Sequence, residues 1–287
     1  MFDINYPKCV SRSICATALI AAGCVCSGVA AVQASESIGN DPDHGEKAQG
    51  FRLDSWRSWF FVSFLPEGTE AETLGLETES YFPLGSYEVK NISYLEGADY
   101  PRPIPGQPPG NLSPGFEVEA GINDLLTAFW FSRNGAHHGK HHFSLGFAAQ
   151  LPTATTDTLG SGKWSIGPSF DYEYESGRLF AGAIALQLWS VAGDEDRNSV
   201  NYLMVKPFAV YALNPDWDAI YMPYGITVYW DKPSGEDAYV PLGGGFQRHF
   251  MWGNQKLNFS TQFFKNVIRP TKGTEYDLRF MLEFVWD

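Results

Sequence analysis

Long stretches of strict alternation between apolar and polar side chains constrain this chain more than any other feature. The clearest is at the C-terminus: Tyr276, Leu278, Phe280, Leu282, Phe284 and Trp286 share one face, and Asp277, Arg279, Met281, Glu283 and Val285 the other. Trp164, Ile166, Pro168, Phe170, Tyr172 and Tyr174 oppose Ser165, Gly167, Ser169, Asp171, Glu173 and Glu175. Phe143, Leu145, Phe147, Ala149 and Leu151 oppose Ser144, Gly146, Ala148 and Gln150; Leu257, Phe259, Thr261 and Phe263 oppose Asn258, Ser260 and Gln262. Successive side chains of a strand point to opposite faces, so each segment reads as a strand with one apolar and one polar side.

A soluble sandwich also alternates and is the competing reading. Segment length argues against it, because many run well past the ~5–6 residues usual for soluble strands. About 10 residues at ~3.3 Å each, tilted ~45°, span roughly 24 Å, close to the ~25 Å apolar band of an outer-membrane barrel. The polar faces are small and hydrophilic, which suits a wet lumen. Trp130, Trp164, Trp189, Trp230, Trp252 and Trp286 stand near segment ends, where interfacial girdles form. The expected fold is therefore all-β, a transmembrane antiparallel barrel of about 12 strands, near 58–65, 73–84, 87–95, 116–131, 141–151, 163–175, 178–191, 200–212, 218–230, 238–250, 256–268 and 275–286. A phase change near Gly121–Asp124 reads as a bulge.

The connections alternate in length. Gly85-Ser86, Ser176-Gly177, 213–217 and 251–255 are short, while 66–72, 96–115, 152–162, 192–199, 231–237 and 269–275 are longer and polar. Short periplasmic turns and longer outer loops have this parity. The segment 132–140 belongs to the short set but is longer than its companions. The Pro-rich run Tyr100–Gly110 is expected to stay out of any ladder, in an outer loop.

The four cysteines, Cys9, Cys15, Cys24 and Cys26, all precede residue 27. Lys8 and Arg12 lead into an uncharged stretch from Ile14 to Val32, and Val32-Gln33-Ala34 offers small residues at a cleavage site. Residues 1–34 read as a signal peptide, 35–56 as a periplasmic lead-in and 57–287 as the barrel. A retained membrane anchor and a lipoprotein are the alternatives for the same stretch. Cleavage would remove every cysteine, so an exported chain would be held by a closed hydrogen-bonded sheet rather than by disulfides. The formal charge of −13 repels phosphates and disfavours nucleic acid as a partner. The apolar fraction of 44% and the many aromatics exclude disorder.

From about residue 121 the wording of the chain is familiar. Gly121-Ile122-Asn123-Asp124-Leu125-Leu126 leads into Phe129-Trp130-Phe131-Ser132. Leu151-Pro152-Thr153-Ala154-Thr155 leads through Leu159-Gly160-Ser161-Gly162-Lys163-Trp164 to Gly167-Pro168. Leu188-Trp189-Ser190, Gly193-Asp194, Arg197, Pro241-Leu242-Gly243-Gly244-Gly245 and Asn266-Val267-Ile268-Arg269-Pro270 follow. Over 121–287 the chain resembles the outer-membrane "transporter" family labelled for the MetA pathway of phenol degradation. The resemblance implies an exported barrel and uptake of small organic compounds, and supplies no catalytic residues. From the residues alone, the shared strings read as strand ends and turns.

If the apolar faces meet lipid, Glu77, Glu79, Glu117, Glu119, Asp171, Glu173, Glu175, Asp277 and Glu283 line the lumen, with Arg279 the basic residue that alternation places among them. Such a wall would favour cations weakly, unless the acids pair with bases or sit at a wet rim. His137, His138, His141 and His142 offer imidazoles for a metal, but no nearby carboxylate or thiol completes a site, so a solvated turn and no metal or other cofactor is expected. Asp194, Asp196 and Asn198 have calcium-loop spacing, but Ser199 stands where that loop needs Gly. No Gly-x-Ser-x-Gly elbow appears and no Ser or Asp aligns in sequence with His249, so no enzyme is expected. Expected partners are outer-membrane lipid, a small solute and the barrel-assembly machinery. The function reads as passive uptake of small, aromatic or hydrophobic solutes. The alternative is a structural or surface-interaction barrel with a filled lumen.

Overall fold

The computed structural model describes residues 51–66, 70–103, 116–133 and 140–286. Residues 1–34, read above as a signal peptide, most of the stretch read as a lead-in, residues 104–115, and His137 and His138 lie outside them. Fourteen strands are present: β1 (Arg52–Phe64), β2 (Glu70–Leu84), β3 (Tyr87–Pro103), β4 (Phe116–Ile122), β5 (Leu125–Arg133), β6 (His141–Leu151), β7 (Lys163–Ser176), β8 (Leu179–Gly193), β9 (Asn201–Asn214), β10 (Trp217–Tyr221), β11 (Ile226–Tyr229), β12 (Ala238–Trp252), β13 (Gln255–Ile268) and β14 (Tyr276–Val285). β4 and β5 are one wall strand broken at Asn123-Asp124, where the phase change stands; β10 and β11 are another, broken at 222–225. Twelve wall strands result. All pair antiparallel, and β1 pairs with β14 from Ser55↔Val285 to Phe64↔Tyr276, which closes the barrel. Closure leaves no sheet edge along the wall, the condition for a sheet to span lipid.

The faces follow the alternation. Phe143, Leu145, Ile166, Phe170, Phe259 and Phe263 are exposed on the outside, while Ser165, Ser169, Ser260 and Gln262 are buried on the inside. Trp164, Trp189, Trp230 and Trp252 are exposed, as the girdle expectation requires. Trp130 is a correction: it is 1% exposed and points inward, where its Nε1 donates to Ser169 Oγ at 3.0 Å. The break at Asn123-Asp124 resets the phase, and Trp130 lies opposite Gly146, where a Cβ would strike the backbone of Phe129 and Trp130.

Two boundaries also differ from expectation. β1 begins at Arg52, so 52–56 belong to the wall; these residues do not alternate and gave no strand signal. β3 runs through Tyr100-Pro101-Arg102-Pro103 and pairs with β4 up to Pro103↔Phe116. The ladder between β2 and β3 ends at Glu72↔Asp99, and among the described residues nothing pairs with that edge of β3 beyond this point. Prolines at alternate positions direct both missing donors to that edge, where Pro is tolerated.

Candidate functional site

The lumen is the site. Odd residues of β1, β2, β7 and β14 and even residues of β3, β5, β8 and β9 face it. Its waist is packed with Trp59, Trp130, Leu186 and Leu188, each 2% exposed or less, together with Phe61, Ile92, Tyr94, Ala128, Ala148 and Met281. Trp59 fits because Gly75 lies directly opposite; a Cβ there would fall about 2.0 Å from the indole nitrogen.

Toward the short-turn end the lumen is charged. Arg57 bridges Glu77 and Glu283 and lies 3.5 Å from Glu79. Lys90 reaches Glu173, Asp171 at 3.2 Å and Glu79 at 3.5 Å. Tyr81 donates to Glu79 at 2.9 Å, and Asn258 to Glu283 at 2.7 Å. Lys206 and Arg279 are placed differently. Lys206 Nζ lies 3.8 Å from the Tyr94 ring centre and 3.9 Å from Glu77. Arg279 lies against Phe61 and Trp59, at 4.8 and 5.3 Å, and donates to the carbonyl of Met222 at 2.7 Å. Cations on aromatic faces are stabilised by the ring quadrupole, which at Lys206 adds to the contact with Glu77.

Of these groups Arg57, Glu77, Glu79, Tyr81, Lys90, Glu173, Lys206 and Arg279 line a cavity of about 240 Å³, to which Ile92, Ile184, Phe180 and Phe208 add. Glu77, Glu79, Glu173 and Arg279 face it, and Asp171 and Glu283 stand behind, paired with Lys90 and Arg57. Asp277 is on the same face but nearer the long-loop end, where Ser63 and Asn266 donate to it. Glu175 is exposed at the short-turn rim. Glu119 lies on β4 at the long-loop rim and accepts from Thr158. Glu117 is also on β4, and its side chain lies outside the description. Alternation missed Arg57, Lys90 and Lys206. Arg57 precedes the first clean alternation. Around Lys90 both faces mix polar and apolar residues, and around Lys206 both are apolar, so neither run has a phase in sequence.

The strings that carry the resemblance meet at the long-loop rim. Asp124 accepts from the backbone N–H groups of Ala154 and Ser161 at 3.1 and 2.7 Å, from Ser161 Oγ at 2.7 Å and from Gln150 at 3.1 Å. Arg197 donates to the carbonyls of Asp157, Gly160 and Ser161. The loop 152–162 is therefore fastened from both sides, and the strings set its shape.

His141 Nδ1 lies 2.9 Å from Tyr172 Oη on the outer face, whereas His142 is on the opposite face of β6, so the two cannot share a metal. Asp194 accepts from Asp196 N–H in its own turn. Among the described residues no group of three metal ligands occurs. Sequence left His249 without an aligned acid, but Asp218 stands 2.8 Å from its Nε2; Nδ1 lies 2.7 Å from Asn258. Both ring nitrogens are thus taken, which leaves neither to activate a nucleophile.

No family model matches the sequence. No curated protein does either. Among solved structures, CdiB from Acinetobacter baumannii is 10% identical with a TM-score of 0.37, over 84% of this chain and 61% of CdiB. The P. putida toluene transporter TodX is 10% identical with a TM-score of 0.37, over 83% of this chain and 90% of TodX. A Pseudomonas aeruginosa FadL homologue is 13% identical with a TM-score of 0.36, over 86% of this chain and 82% of the homologue. The chain spans less than two thirds of CdiB's length. At scores of this size neither strand count nor cargo transfers.

Proposed function

We propose that this chain is an outer-membrane barrel for passive uptake of small amphiphilic or aromatic solutes, one molecule at a time. The carrying observation is the cavity of about 240 Å³, lined by Phe180, Phe208 and Ile184 and by the charged groups, beneath a packed waist. An apolar cavity of ~150 Å³ holds a benzene molecule. The present one therefore has room for a single substituted ring, and its charged wall supplies partners for a polar substituent. In this reading the short turns face the periplasm, residues 1–34 direct export, and the apolar belt takes lipid after insertion by the barrel-assembly machinery. Glu77, Glu79, Asp171, Glu173, Glu283 and Arg279 serve as lumen lining; Asp277 lies above them, and Glu117, Glu119 and Glu175 belong to the rims.

The packed waist also supports a second reading, a structural barrel with a filled lumen. Vesicles containing the refolded full chain separate the two. Entry of phenol faster than into empty vesicles, with exclusion of disaccharides, is the expected result. Folded barrel, shown by a heat-modifiable gel shift, with phenol entry no faster than in empty vesicles would establish the structural reading.

A further inference from the structure

The break between β10 and β11 is not a frayed end. Tyr221 pairs with Ala209 and Ile226 with Val205, so residues 222–225 stand opposite 206–208, four residues against three. On the other side Ile220 pairs with Gly245 and Thr227 with Tyr239, so 221–226 stand opposite 240–244, again one residue in excess. Four against three is the count of a single β-bulge. The segment has the length to complete the wall, yet it is folded into the lumen. Met222 N–H donates to Gln262 of β13, Arg279 of β14 donates to Met222 O, and Tyr224 Oη donates to Glu96 of β3 at 3.2 Å. β3 lies halfway round the ring of wall strands from this break. Tyr224 meets Phe61 edge-on at 6.0 Å, and Gly225 is buried against Met204 and Lys206. Met222 and Pro223 line the cavity.

Pro207, Pro223 and Pro241 surround the break, one on each of the three neighbouring strands. Each lacks a ladder donor, so the wall there can open without leaving those donors unsatisfied, and the paired alternative is weakened. The inward position is held by side-chain hydrogen bonds instead of a ladder.

We propose that Met222–Gly225 is the gate of the transport route. Folded inward, it blocks the lumen above the cavity and is latched by the Tyr224–Glu96 hydrogen bond. Swung outward, the same residues complete the wall as a bulged strand and connect the long-loop mouth to the cavity. The gate rests on the transport reading; the motion itself does not.

Two readouts test it on the full chain, with Cys9, Cys15, Cys24 and Cys26 replaced by serine. The first is labelling of Gly225→Cys by a small water-soluble maleimide. The site is buried in the inward position, so labelling is slow; adding Tyr224→Phe removes the latch and raises the rate about tenfold, the size expected for one hydrogen bond to a carboxylate. The second is phenol entry into vesicles carrying Met204→Cys with Gly225→Cys. A Cβ at 225 falls 3.0 Å from the Met204 Cγ position, which suits a disulfide. Oxidation is expected to stop entry and a reducing agent to restore it. An unchanged labelling rate in Tyr224→Phe, or equal entry with the disulfide formed and reduced, overturns the gate while leaving transport standing. Accelerated labelling with no phenol entry in any variant overturns the transport reading, and the gate with it.

Discussion

Lys90 and Arg57 each hold three acids of the charged end of the lumen, and Lys90 is the more buried of the two. It is 9% exposed and its ammonium serves Glu79, Asp171 and Glu173 together. Removing one partner of a buried ionic network leaves the others charged and unpaired, a cost of about 3–5 kcal/mol. Lys90→Met is expected to lose about that much stability in urea titration of the micelle-bound barrel. The double variant with Asp171→Asn is expected to recover part of the loss, because one stranded charge is gone. A loss below ~1 kcal/mol would mean that water already satisfies the three acids. Of this network, sequence showed the acids but only one of the bases. Asp171, Glu173 and Glu283 alternate with lipid-facing aromatics, which fixes their side of the wall. Lys90 lies where both faces are mixed and Lys206 where both are apolar, so their side is set by cross-strand pairing alone.

Among elements, the loop 152–162 shows what the shared strings do. Asp124 sits in the wall break between β4 and β5, and this break frees its carboxylate to reach over the rim. The two backbone N–H groups, the Ser161 hydroxyl and the Gln150 amide that it accepts from would lose their partner in Asp124→Ala. The expected cost is about 1–3 kcal/mol, confined to the loop because the ladder of β5 with β6 does not involve it. Limited proteolysis in vesicles checks this: new cleavage between 153 and 161 is expected, with an unchanged heat-modifiable shift. A variant that fails to fold would show instead that the fastening is needed to close the barrel. The position of the break was legible in the phase change at Gly121–Asp124, but its purpose was not, since the partners lie about thirty residues downstream. The break at 222–225 gave less warning. Met222-Pro223-Tyr224-Gly225 continues an apolar run, and only the register of both neighbours exposes the extra residue.

For the whole molecule, the balance of charge in the lumen decides which ions it tolerates. Arg57 and Lys90 face Glu77, Glu79, Asp171, Glu173 and Glu283, while Lys206 and Arg279 sit higher, on aromatic rings. Acids exceed bases by one in this set and by three once Glu96 and Asp277 are counted, still less than alternation alone implied, because bases it missed stand among the acids. A filled lumen passes little current. What passes during gate opening should favour cations slightly, and the preference should fade as salt rises, since the Debye length falls from ~10 Å at 0.1 M to ~3 Å at 1 M. Reversal potentials across planar bilayers measure this directly. Lys90→Met removes one positive charge from the cavity wall and is expected to strengthen the cation preference, whereas Glu173→Gln is expected to weaken it. Anion preference in the unaltered chain at 0.1 M salt would place Lys206 and Arg279, rather than the acid cluster, in control of the passage.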